Sequence, residues 1–281
     1  MADRVVALLG RGVVPADTPI LRADDLGVLR GDGVFETMHV RDGRPWLLDE
    51  HLARMARSAT RLDLALPPAG ELAGFATEIC EHWPAEQEGA LRLVCTRGIE
   101  EGGAVTCFGT LGPISAALLR ARRHGIVVTT ASFGYAAGAR QDTPWLLGGV
   151  KSLSYAINMA SQRWAAAHGV DDVLWVSADG WALEGPTSTL VWLDGDELCT
   201  VPAESTGILP GCTARWLLEH AAALGWQAAR RMVRPGELAG LGGAWLTSSV
   251  RGIAELRAID GVPLPASPHT TRIRELLGFP V

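Results

Sequence analysis

The chain has 281 residues, of which 48% are hydrophobic and 20% charged, enough apolar material for a sizeable core and, at this length, for about two domains. That balance excludes a disordered chain, and a net charge of -6 argues against a general nucleic-acid binder, which carries a basic field. The first apolar run, residues 5–9, is too short for a signal-peptide core, and no stretch reaches the ~18 apolar residues of a membrane span, so a cytoplasmic protein is expected.

In chain order, 5–9 and 34–40 read as strands, and Arg41-Asp42-Gly43-Arg44 turns the second into 46–48. Asp49 is placed to cap a helix on which Leu52, Met55, Ala56, Ala59 and Leu62 recur at helical spacing, ended by Pro67-Pro68. A helix over 72–82 precedes a strand pair, 91–96 and 104–110, joined through Gly102-Gly103. Residues 114–124, after Gly112-Pro113, read as a linker between a domain over 1–113 and one over 125–281. Beyond it, 126–132 is a strand, and a Gly- and Pro-bearing loop leads to Gly148-Gly149-Val150-Lys151 and a helix over 152–168. Strands over 172–177, 188–193 and 197–201 follow, then a helix from Pro210-Gly211 to about 224. Strands over 227–233 and 244–248 and a helix over 270–277 close the chain. Mixed order with many hairpins predicts an α+β fold, not a doubly wound parallel sheet.

Two motif classes fall away. Gly31-Asp32-Gly33 lacks the third glycine of a dinucleotide fingerprint and leads into a strand, so a tight turn needing positive φ is the better reading. No Walker loop and no Gly-x-Ser-x-Gly is present. The histidines form no His-x-x-x-His pair, and the five cysteines are scattered without Cys-x-x-Cys, so no metal site is expected and the cysteines read as free thiols.

Of the 25 Lys and Arg residues only Lys151 is lysine. A background that substitutes arginine wherever a positive charge suffices leaves lysine where its amine chemistry is needed. Arginine stays protonated, whereas a desolvated lysine sheds its proton and attacks a carbonyl. A site built on such an amine and pyridoxal phosphate also needs a carboxylate for the ring nitrogen, a partner for the ring hydroxyl and a phosphate cradle. Tyr155, one helical turn beyond Lys151 if that stretch is helical, is the candidate for the hydroxyl. Glu184, between a turn and a strand, is the candidate carboxylate. Arg54 has the fork geometry for phosphate. Further cradles are Leu209-Pro210-Gly211-Cys212-Thr213, entering a helix, and Thr247-Ser248-Ser249 after a strand.

Taken together these segments resemble the fold-type IV pyridoxal-phosphate enzymes, which include branched-chain and D-amino-acid aminotransferases and 4-amino-4-deoxychorismate lyase. The resemblance rests on Gly31-Asp32-Gly33-Val34-Phe35-Glu36-Thr37, Leu48-Asp49-Glu50-His51-Leu52-Ala53-Arg54-Met55, Thr96-Arg97-Gly98, Lys151-Ser152-Leu153-Ser154-Tyr155, Leu183-Glu184-Gly185-Pro186-Thr187-Ser188 and Gly207-Ile208-Leu209-Pro210-Gly211. It implies pyridoxal 5'-phosphate as cofactor, with Lys151 as the Schiff-base lysine, Glu184 at the ring nitrogen, and Arg54, Thr213 and Ser249 at the phosphate, beside Cys212 and Ser248. It also implies a small N-terminal α/β domain, a larger C-terminal domain with a mixed sheet, and an active site between them in a homodimer.

The stretches Gly149-Val150-Lys151-Ser152-Leu153-Ser154-Tyr155-Ala156-Ile157-Asn158-Met159-Ala160 and Asp171-Asp172-Val173-Leu174-Trp175-Val176-Ser177 look most like the lyase members. The Arg-x-His carboxylate trap that D-amino-acid aminotransferases carry after Thr-Arg-Gly is replaced here by Ile99-Glu100-Glu101. The expectation is therefore a lyase that releases pyruvate and the folate precursor 4-aminobenzoate, with an aminotransferase as the alternative and a non-catalytic ligand-binding protein as the remote one. The substrate is a dianion, so Arg97, Arg251 and Arg30, with Arg140 in reserve, are the candidate substrate cations. Thr37 is the candidate to assist proton transfer to the leaving enol.

Overall fold

The computed structural model describes residues 4–101, 103–141 and 143–279. The fold is α+β, with two compact units: Met1–Ser115 with Val150–Tyr155, and Ala116–Gly149 with Ala156–Val281. Among the described residues no helix is long and apolar enough to cross a membrane.

The first unit contains β1 (Val5–Leu8), β2 (Gly12–Val14), α1 (Leu26–Arg30), β3 (Gly33–Arg41), β4 (Arg44–Pro45), α2 (Leu48–Arg61), α3 (Ala69–Glu81), β5 (Gly89–Thr96) and β6 (Thr106–Pro113). They form a six-stranded antiparallel sheet in the order β2-β1-β6-β5-β3-β4. Alternation along each strand sends Val34, Met38 and Val40 of β3 and Leu91, Leu93 and Cys95 of β5 to one face, where α2 and α3 close the core. Gly31 caps α1 with φ 66°, which fits the expected turn; α1 itself is too short to have shown periodicity. Asp49 does not cap α2: Leu47 does, in the left-handed region, and Asp49 sits in the first turn, where its charge suits the helix dipole. The helix ends at Arg61, well before the proline pair, and Pro68 instead begins α3. Of the expected Gly102-Gly103 joint, Gly102 lies outside the described residues.

The second unit contains α4 (Ala116–His124), β7 (Ile126–Ser132), α5 (Ala156–Ala167), β8 (Asp172–Val176), β9 (Glu184–Gly185), β10 (Ser188–Asp194), β11 (Glu197–Thr200), α6 (Ala203–Thr206), α7 (Cys212–Glu219), β12 (Gln227–Arg230), β13 (Gly243–Ser248), β14 (Gly252–Ile259), β15 (Val262–Pro263) and α8 (Thr270–Leu277). Its mixed sheet runs β12-β11-β10-β13-β14-β7-β8, with β9 on β10 and β15 on β14. The stretch 114–124, expected as a linker, contains helix α4, which packs on β14 together with α8. Helix α7 packs on β10 and β13, and Leu190, Trp192, Leu246 and Ala254 lie in the core.

The cysteines depart from the expectation of five free thiols. Cys95 and Cys107 are direct cross-strand partners on β5 and β6, and a disulfide joins them. Cys80, Cys199 and Cys212 are free and buried. Alkylation of the denatured, unreduced protein should therefore label three cysteines, rising to five after reduction. Mass spectrometry of the intact chain reads the count, and five labels without reductant would refute the bond.

Candidate active site

Lys151 is not on a helix. The expected helix over 152–168 begins only at Ala156, because the backbone before it is drawn onto β3. Phe35 N–H donates to the Lys151 carbonyl at 3.2 Å, Leu153 N–H to Gly33 at 2.9 Å, and Lys151 N–H to Ser58 Oγ on α2 at 3.1 Å. Lys151 is thus pinned in an extended segment and is only 9% exposed. Its Nζ lies 4.2 Å from the Phe35 ring centroid and donates to the Tyr155 hydroxyl at 3.3 Å. Tyr155 stands edge-on to Phe35 at 5.0 Å. Tyr155, expected on the same helical face as Lys151, instead meets it through an extended turn and an aromatic contact.

Arg54 sits on α2 facing β3, and there it meets Glu36. Nε donates to Oε1 and Nη2 to Oε2, both at 2.7 Å, and His51 Nδ1 contacts Oε2 at 2.7 Å. Burial alone would push the Glu36 carboxyl up. The Arg54 charge and hydrogen bonds, with His51, more than offset this and hold the carboxyl far below its usual range. Removing one partner of such a buried pair costs about 3–5 kcal/mol.

The opposite face of the same strands carries Thr37. With Arg4, Arg92 and Thr110 it lines a cavity of about 250 Å³. Thr37 and Arg92 are cross-strand partners, as are Arg92 and Thr110. The Arg92 guanidinium lies 5.8 Å from the centroid of Phe35, the ring that also carries Lys151 Nζ. Thr37 therefore stands in a cationic recess, one of whose arginines, Arg92, also lies near Phe35.

The second unit holds the other predicted groups. Glu184, 9% exposed, accepts the Leu209 N–H on both oxygens, at 3.3 and 3.2 Å. It pairs across β9 and β10 with Thr189, which pairs with Thr247 on β13. Gly211 begins α7 against that row: a Cβ there would collide with Thr189 Oγ1, so glycine lets the helix start approach. Thr213, in the first turn of α7, and Thr247 each bury a hydroxyl oxygen that has no hydrogen-bond partner among the described residues. Buried hydroxyls without partners beside a helix N-terminus are what a phosphate group would satisfy. The residues fit pyridoxal phosphate on that ground. Cys212 opens the same helix, buried, and Ser248 and Ser249 follow Thr247, with Ser248 Oγ accepting the Arg251 N–H at 3.4 Å.

The predicted substrate arginines are placed differently. Arg97 is held by Asp32 at 2.7 Å and donates to the carbonyls of Leu62 and Asp63. Arg251 is buried against Asp172 at 2.9 Å. Arg30 is exposed, 3.8 Å from Glu100. Burial lowers the pKa of Arg140 while the Glu184 carboxylate opposes that, so Arg140 lies in the field of Glu184. Sequence reasoning missed Glu36, His51, Ser58, Phe35 and Arg92. A usable signal was the parity of β3, which puts Glu36 in the same row as Val34 and Met38.

Comparison with known proteins supplies the frame for this geometry. The family model for amino-transferase class IV matches residues 33–259. A Mycobacterium tuberculosis protein named bifunctional aminodeoxychorismate lyase / D-amino acid transaminase is 40% identical over 97% of both chains. The aminodeoxychorismate lyase of Bacillus subtilis is 28% identical over 86% of this chain and 83% of its own. A structure described as a hypothetical aminotransferase from Mycobacterium tuberculosis, in its PLP-bound form, superposes with a TM-score of 0.94 at 39% identity, covering 98% of this chain and 97% of that one.

Proposed function

The chain belongs to the amino-transferase class IV family and is a pyridoxal-phosphate enzyme acting on small amino and keto acids; from that premise we propose that it is a 4-amino-4-deoxychorismate lyase. The observation that supports this most is the match, across 97% of both chains, to a relative whose name includes that activity. The replacement of the Arg-x-His trap by Ile99-Glu100-Glu101 points the same way.

On this reading Lys151 anchors the cofactor, Glu184 faces its ring nitrogen, and Arg54, Thr213, Thr247 and Ser249 hold its phosphate. Bound pyridoxal phosphate supplies an electron-withdrawing ring that stabilises negative charge at the amine-bearing carbon. Lys151 Nζ, once the substrate amine has displaced it, would take the proton from that carbon. The Tyr155 hydroxyl, 3.3 Å from Nζ, fixes the direction of the amine. Thr37 would pass a proton to the departing enolpyruvyl group, which leaves as pyruvate. For the substrate carboxylates we favour Arg92 and Arg4, in the recess with Thr37, over Arg97 and Arg251, whose charges Asp32 and Asp172 already balance.

A second reading has its own support, because the same relative is also named a D-amino acid transaminase. Incubation with aminodeoxychorismate and no keto-acid acceptor separates them. The lyase releases pyruvate and 4-aminobenzoate in equal amounts. Release of neither, with D-alanine deaminated only when 2-oxoglutarate is added, would leave the transaminase alone.

A further inference from the structure

Glu36 occupies a position where a carboxylate needs a reason to be. It shares the core-facing row of β3 with Val34 and Met38, and all three are 0% exposed. An unpaired carboxylate there would carry a prohibitive desolvation penalty. Two residues one turn apart on α2 meet it, and three contacts of 2.7 Å result. An ionised carboxylate has no hydrogen to give, so His51 is the donor, from Nδ1.

The way Arg54 is gripped is informative. Glu36 takes the edge formed by Nε and Nη2, and this fixes the plane of the guanidinium. A planar fork serves two anions only when each takes a different edge. Arg54 is also 4% exposed, and the Glu36 carboxylate lies directly against it. The carboxylate supplies a standing counter-charge, and the cation is in place before any phosphate arrives.

Resting on the reading of Arg54 as a phosphate ligand, we propose that Glu36, backed by His51, is a positioning residue for phosphate recognition, aiming the second edge of Arg54 at that group. A pair that only seals α2 onto β3 would affect stability alike for every ligand. A pair that aims Arg54 discriminates between ligands with and without phosphate.

The test compares the affinity of the cofactor-free full chain for pyridoxal phosphate and for pyridoxal, by titration, in the parent, Glu36→Gln, His51→Leu and Arg54→Lys. Glu36→Gln is expected to weaken pyridoxal phosphate roughly tenfold or more and pyridoxal far less, so that the ratio falls toward that of Arg54→Lys. His51→Leu is expected to move the ratio the same way by a smaller factor. Should Glu36→Gln fail to fold, Glu36→Asp, which keeps the charge but withdraws it by one methylene, carries the comparison with His51→Leu. An unchanged ratio in the Glu36 and His51 variants, with a lowered ratio in Arg54→Lys, would overturn the positioning role alone. An unchanged ratio in Arg54→Lys would overturn the assignment of Arg54 itself, and the proposal with it.

Discussion

Lys151→Ala is expected to lower turnover roughly 10³-fold or more while leaving the circular dichroism spectrum and the sheet of the first unit intact. The fold does not depend on the side chain, because the backbone at 151 is held by Ser58 Oγ and by Phe35 N–H. On the proposed function the chemistry does depend on it. No second lysine exists to substitute for it. Lys151→Arg is expected to fare no better: the guanidinium keeps the charge beside Phe35 but cannot become an amine nucleophile or a base. Steady-state kinetics on cofactor-saturated protein reads both variants, and Lys151→Arg activity within tenfold of the parent would remove the lysine from the mechanism.

Glu184→Gln is expected to reduce turnover by about 10²-fold, with cofactor still bound. The substitution keeps an acceptor for the Leu209 N–H, so the loop from Gly207 to Gly211 stays in place. What it removes is the negative charge. Preorganised charge at the place where charge develops contributes on the order of 10²–10³ in rate. Glu184→Asp should retain more activity than Glu184→Gln although it is shorter, since it keeps the charge. Equal rates for Glu184→Gln and the parent, with cofactor bound in both, would show that the carboxylate serves only to hold Leu209.

The residues proposed to carry the chemistry were legible in the sequence because they are compositional anomalies or sit at punctuation. Lys151 stands out against an arginine-rich background, Glu184 stands between a turn and a strand, and Thr213 follows a Pro-Gly helix start. Residues proposed to act through others were not legible. Glu36 reads as one acid in a strand until parity places it among Val34 and Met38, and nothing in periodicity says which face of α2 docks there. The helix expected from 152 failed because a tertiary contact outbid local preference: the backbone bonds of 151–153 go to β3 and α2. Residues 114–124 read as a linker because Gly112-Pro113 breaks the pattern and four charged or histidine side chains follow closely, although Arg122 is buried against the carbonyls of Val250 and Arg251. Strand β14 was passed over for a similar reason. Arg251, Glu255 and Arg257 disguise a run whose apolar members, Ile253, Ala254 and Leu256, are core.

The most direct measurement is to treat cofactor-loaded protein with sodium borohydride, digest it and map the pyridoxyl group by mass. One modified peptide is expected, carrying the group on Lys151. A label on the N-terminal amine, or bound cofactor with no label at all, would contradict it.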